Sequence, residues 1–187
     1  MRFLLITLLL ISCKTDDNRI ISLNEIGWSF ELPSDVFFKD SAFNPNGQIN
    51  KSSWKTSSFM PDKPRVELFW IESDRNNYFN TIVYIDSSDN LNWVKKTIDD
   101  SRFYFSQLEN LSNYKIIDTS LSIEKIDEAS FQKEYLKVYN KIKSDTTYSY
   151  KFSRKYNNYG ININIRFTDV KFGSKYLSIC RKSKFKE

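Results

Sequence analysis

Residues Ile161-Asn162-Ile163-Asn164-Ile165-Arg166-Phe167 alternate apolar and polar without a break. Successive side chains of an extended chain point to opposite faces, so this run reads as a strand with one buried and one outward face. The same period recurs along the chain. Trp28 to Leu32 alternates until Pro33 ends it, and Tyr148 to Phe152 sets aromatics against Ser149 and Lys151. Val66–Ile71, Asn80–Ile85 and Ser130–Tyr139 are further strands, and Ile116–Ile126 is one long strand or two short ones. Between Tyr148–Phe152 and Ile161–Phe167 lies Tyr156-Asn157-Asn158-Tyr159-Gly160. Asn and Gly tolerate positive φ, so this segment predicts a hairpin turn. A chain patterned this way folds mainly as antiparallel sheet.

Two segments depart from it. From Asn90 to Leu108, the apolar residues Leu91, Val94, Ile98, Phe105 and Leu108 fall near a 3.6 period, with Ser88 or Asp89 as cap. From Lys171 to Lys182, Phe172, Tyr176, Ile179 and Cys180 form a second helical stripe. Thr168 or Asp169 caps it, and its basic end suits the helix dipole. Ser41 to Pro64 has no period and reads as a long irregular loop. It carries Phe43, Trp54 and Phe59, which either fold back onto the core or form a partner-binding surface.

The N-terminus is of another kind. Arg2 precedes a nine-residue uncharged run, Phe3 to Ile11, and then Ser12 and Cys13. A membrane-spanning helix needs about 20 apolar residues, so this run matches the core of a signal peptide instead. Leu10-Ile11-Ser12-Cys13 resembles a bacterial lipobox. That resemblance implies cleavage before Cys13 and a lipid on its sulfur. Lys14-Thr15-Asp16-Asp17 resembles the surface-export signal of Bacteroidota lipoproteins, with Thr15 interposed. The expected organisation is a signal peptide over 1–12, a lipidated tether over 13–19 and one α+β domain over 20–187. The anchor would place the protein at the outer membrane, facing the periplasm or the cell surface.

Composition excludes several functions. The chain has 28 basic and 23 acidic residues, interspersed, which does not read as a nucleic-acid binder. It has no histidine and two cysteines, Cys13 and Cys180. Histidine-based triads are therefore impossible, and a zinc site is not expected. Four glycines and no glycine-rich loop argue against a phosphate cradle. No cofactor or metal is predicted, and Cys180 reads as a buried small hydrophobe.

The remaining candidates each have a plain structural reading. Asp99 and Asp100 are adjacent on a helix and diverge, which suits a solvated face better than shared acid–base work. Glu124, Lys125, Asp127 and Glu128 read as a charged turn. Tyr148, Tyr150 and Tyr156 line a ligand surface or cover one sheet face. Lys175, Arg181, Lys182, Lys184 and Lys186 form a basic end that is solvated or meets anionic headgroups.

The order of elements resembles the Mog1/PsbP-like fold. The residues carrying the likeness are Gly27 to Pro33, Asn80 to Ile85 leading into the helix, and Ile161 to Phe185. The resemblance implies an antiparallel β-sheet flanked by helices, an α/β/α sandwich. The family it points to is functionally mixed, covering a nuclear-transport accessory factor, photosystem assembly proteins and bacterial lipoproteins. No family binding motif matches here residue by residue, so no site carries over. A lipocalin-like barrel, which needs about eight consecutive strands, is disfavoured by the mid-chain helix. Anchor and composition together predict a lipid-anchored, non-enzymatic binding or scaffolding module with a protein partner in the envelope. The alternatives are a carboxylate- or lysine-based enzyme acting on envelope glycans and a carrier of an apolar ligand.

Overall fold

The computed structural model describes residues 18–57 and 60–186. Its strands are β1 (Arg19–Leu23), β2 (Trp28–Leu32), β3 (Asp40–Ser41), β4 (Lys55–Ser57), β5 (Met60–Asp74) and β6 (Asn77–Ile85). After helix α1 (Asn90–Glu109) come β7 (Tyr114–Ile126), β8 (Ala129–Asn140), β9 (Asp145–Tyr156) and β10 (Tyr159–Phe167). Helix α2 (Val170–Lys182) and β11 (Lys184–Phe185) follow. All pairings among them are antiparallel. A large sheet runs in the order β3-β5-β6-β10-β9-β8-β7, with β4 also on β5, and a small one in the order β1-β2-β11. The expected α+β class and flanked antiparallel sheet are what the chain adopts. The small sheet is an addition, because a two-residue strand such as β11 carries no readable period.

The alternation in β10 places the core. Ile161, Ile163 and Ile165 are fully buried and Phe167 nearly so. In register beside them lie Phe79 on β6 and Phe152 on β9. This face meets the small sheet and α2 through an aromatic cluster. Trp28 stacks on Phe185 at 5.6 Å, Phe30 meets Phe69 at 5.5 Å, and Phe79 meets Tyr176 of α2 at 5.3 Å. Helix α2 approaches the sheet closely at Gly173, where a Cβ would lie 2.4 Å from the Phe167 ring. Cys180 is fully buried, as read from sequence, and burial pushes its thiol far above the reactive range.

Both helices begin at their predicted caps. Asp89 accepts from the Asn92 N–H and Asp169 from the Lys171 N–H, each at 2.8 Å. The hairpin at Asn157 also forms, with φ 53°.

The irregular loop over 41–64 needs correction. Within it β3 pairs with β5, Phe43 bridges to Ile49, β4 folds back on β5, and β5 already starts at Met60. Ala42 N–H donates to Leu68 O at 2.8 Å and Lys39 N–H to Trp70 O at 2.7 Å. These bonds are made by backbone groups and leave no side-chain period. β5 also runs through Pro61 and Pro64, residues that read as strand breakers.

The charged turn at 124–128 likewise does more than cap a hairpin. Arg181 donates to Glu124 at 2.7 Å and Lys133 at 2.8 Å. Burial opposes ionisation of Glu124, and these two cations outweigh it, so its pKa falls. Asp127, at φ 55°, accepts from the Phe185 N–H at 3.1 Å and from Lys184 at 3.1 Å. Two members of the basic C-terminal end are thus tied to β7 and its turn.

Candidate functional site

The second face of the large sheet is the one that β10 marks with Asn162, Asn164 and Arg166, and α1 lies across it. Trp93 Nε1 donates to Tyr84 OH at 3.0 Å, Gln132 donates to Val94 O at 3.3 Å, and Ser101 donates to Glu134. The helix presents small polar residues here. Among its residues only Trp93 and Ser101 are buried. The apolar side chains of Leu91 and Phe103 are mostly exposed instead.

A polar face under a helix is stable only where its groups are hydrogen-bonded. Asn164 donates to Asn80 at 3.0 Å, and Asn80 donates to Glu67 at 2.5 Å. Ser153 donates to Asn162 at 2.8 Å, and Lys151 pairs with Glu134 at 3.6 Å. Burial raises the pKa of Glu67, and the charge of Asp40 adds to this, against the bond from Asn80. The Asp99-Asp100 pair is on the solvated side of α1, with Lys96 3.2 Å from Asp100.

Small polar side chains fill the space poorly, and clefts open along the seam. One of about 380 Å³ lies under the first half of α1, between Tyr84, Trp93 and Phe103, with Arg65, Lys96 and Lys151 at its sides. One of about 170 Å³ is mostly apolar, with Ile98, Leu121 and Ile123. A third, of about 250 Å³, lies under the last turns, with three tyrosines, four aliphatic residues, three small polar residues and Arg166. A separate polar cleft of about 480 Å³ lies by β3 and β4, where Asp40, Lys55, Arg65 and Glu67 converge. Among the described residues no three His, Cys, Asp or Glu side chains come together as metal ligands.

The sequence-predicted residues fall elsewhere. Cys13 and Phe59 lie outside the described residues. Phe43 and Trp54 are half-buried at the margin of the core, Phe43 edge-on to Phe38 at 5.5 Å and Trp54 stacked on Tyr159 at 6.1 Å. Replacing Trp54 by Ala is expected to cost about 2 kcal/mol, roughly half the loss for a fully buried ring. Urea denaturation measures this, and an unchanged midpoint would show that the ring contributes nothing to the fold. Tyr148 and Tyr150 lie on the core face, stacked near Phe167 at 5.2 and 6.1 Å. The seam under α1 was not singled out by sequence. Its signal was the polar half of the β10 alternation, which states a face and not what covers it.

No protein-family model matches the chain, and no curated protein matches its sequence. Among solved structures, the chain is similar to the solution structure of cyanobacterial PsbP (CyanoP) from Synechocystis sp. PCC 6803. The identity is 10% and the TM-score 0.53, over 94% of this chain and 96% of that one. A second likeness is to LpqN, described as involved in cell envelope biogenesis of Mycobacterium tuberculosis. There the identity is 10% and the TM-score 0.45, over 91% of each chain. The likeness to CyanoP concerns architecture, and the architecture of this chain is PsbP-like.

Proposed function

We propose that this chain is a lipid-anchored protein of the bacterial cell envelope and works as a non-enzymatic binding or scaffolding module. The observation that carries the reading is Leu10-Ile11-Ser12-Cys13, set behind Arg2 and a short apolar run. In this reading Cys13 takes the lipid, the tether over 13–19 holds the body at the outer membrane, and the margin at Phe43 and Trp54 meets an envelope protein. The chemistry of the seam supports binding over turnover. Glu134 is held by Ser101 and Lys151, and Glu67 by Asn80. A second reading, carriage of a small ligand, is supported by the clefts under α1. Among the described residues no helix is long and apolar enough to cross a membrane.

Cys13→Ser tests the anchor. A thiol acceptor is required for the lipid, and stable membrane attachment takes two or more acyl chains. The wild-type chain is expected to incorporate labelled palmitate and stay with membranes through a carbonate wash. The variant is expected to lose both properties. A variant that still sediments with washed membranes would overturn the lipobox reading. Crosslinking and co-purification from native envelopes would identify the protein partner.

A further inference from the structure

The third cleft differs from its neighbours in charge. Its floor is Leu136 and Val138 of β8, both buried, and its roof is Tyr104 and Leu108 of α1. Tyr78 and Tyr114 close two sides. Among the described residues Arg166 is the only charged side chain in its wall. It stands opposite Tyr78 in the register of β10 on β6. Among the described residues Arg166 has no ion pair, and its Nε is buried with no hydrogen-bond acceptor. Across the seam, the carboxylate of Glu134 is taken by Ser101 and Lys151.

A buried guanidinium N–H without an acceptor is costly, more so than a neutral group. Guanidinium cannot lower that cost by losing its proton. Its planar donor fork matches a carboxylate bound through two parallel N–H···O bonds. Besides Asn140, Thr147 and Ser149, the rest of the wall is aromatic and aliphatic, which favours an apolar body behind that carboxylate. The volume, about 250 Å³, corresponds to about eight waters at ~30 Å³ each, the bulk of a bicyclic ring acid.

We propose that this cleft binds a small organic acid, with its apolar ring between Tyr104, Leu108 and Val138 and its carboxylate on Arg166. The proposal rests on the reading of the seam as a carrier site and adds the class of ligand.

The test uses the full chain in maltoside micelles, titrated calorimetrically with 2-naphthoate and with its neutral analogue 2-naphthamide. Empty micelles correct for partitioning. Naphthoate is expected to bind about tenfold or more tightly than naphthamide, the fold-change of one charge-assisted hydrogen bond. Arg166→Gln is expected to erase that preference and leave naphthamide binding within about twofold of wild type. Leu111→Trp fills the cleft mouth from a position 48% exposed and is expected to abolish binding of both compounds. Equal affinity of wild type for acid and amide overturns the anion assignment and leaves the carrier reading standing. Binding of neither compound overturns both. Unchanged naphthoate binding by folded Arg166→Gln overturns the role of Arg166. The comparison of the two compounds on wild type decides the anion question even where a variant fails to fold.

Discussion

Replacing Ile163 by Ala is expected to lower the unfolding free energy by about 2–5 kcal/mol, the range for deleting a fully buried aliphatic side chain and leaving a cavity. Ile163 is 0% exposed and sits mid-strand in β10, opposite Thr81 on β6 and Phe152 on β9. Both neighbours are buried, so little can collapse into the space. Its sequence neighbour Asn164 points to the other face and donates to Asn80. Asn164→Ala is expected to cost about 1 kcal/mol, the net worth of one hydrogen bond. Urea melts of both variants measure the contrast. Equal losses would mean that the two faces of β10 are assigned wrongly.

Gly47→Ala is expected to cost about 3 kcal/mol or more, although it adds only one methyl group. Gly47 has φ 71°, a conformation that L side chains rarely adopt. A Cβ there would lie 1.7 Å from the carbonyl oxygen of Ser22. That atom belongs to the backbone of β1, so no rotamer change relieves the clash. The turn would have to move away from β1. With it would go the bond from Asn24 to Asn46 O at 3.1 Å and that from the Ile49 N–H to Glu25 at 3.1 Å. A denaturation midpoint equal to that of wild type would show that the 44–47 turn is not seated on β1.

These two positions also show what the sequence made legible. Ile163 was readable because its strand is covered differently on its two faces, and alternation records that directly. The helices were readable from apolar spacing and from Asp89 and Asp169 as caps. Gly47 lies in the stretch that read as an irregular loop, and nothing local said that its turn rests on β1. That contact joins residues far apart in sequence. The same limit hid β3 and β4, which are held by backbone bonds, and the ties of Glu124 and Asp127 to the C-terminal segment. Arg166 was visible only as a polar residue in an alternating run. Its place in a cleft depends on α1, whose inward face of Thr97 and Ser101 carries little apolar signal. Cys13 remains a reading of the sequence, outside the described residues.

The large sheet ends on β7, thirteen residues long, and among the described residues one side of its backbone has no strand partner. A strand of that length and openness is a template on which other chains can grow into aggregates. β7 carries several countermeasures. Lys115, Asp118 and Lys125 are exposed along it, and its register shifts between Ile116 and Asp118, which bends the ladder. At the opposite edge β3 is only two residues long and offers little to pair with. In the membrane-anchored reading proposed above, copies of the chain meet often, and these two edges work against such encounters growing into fibres.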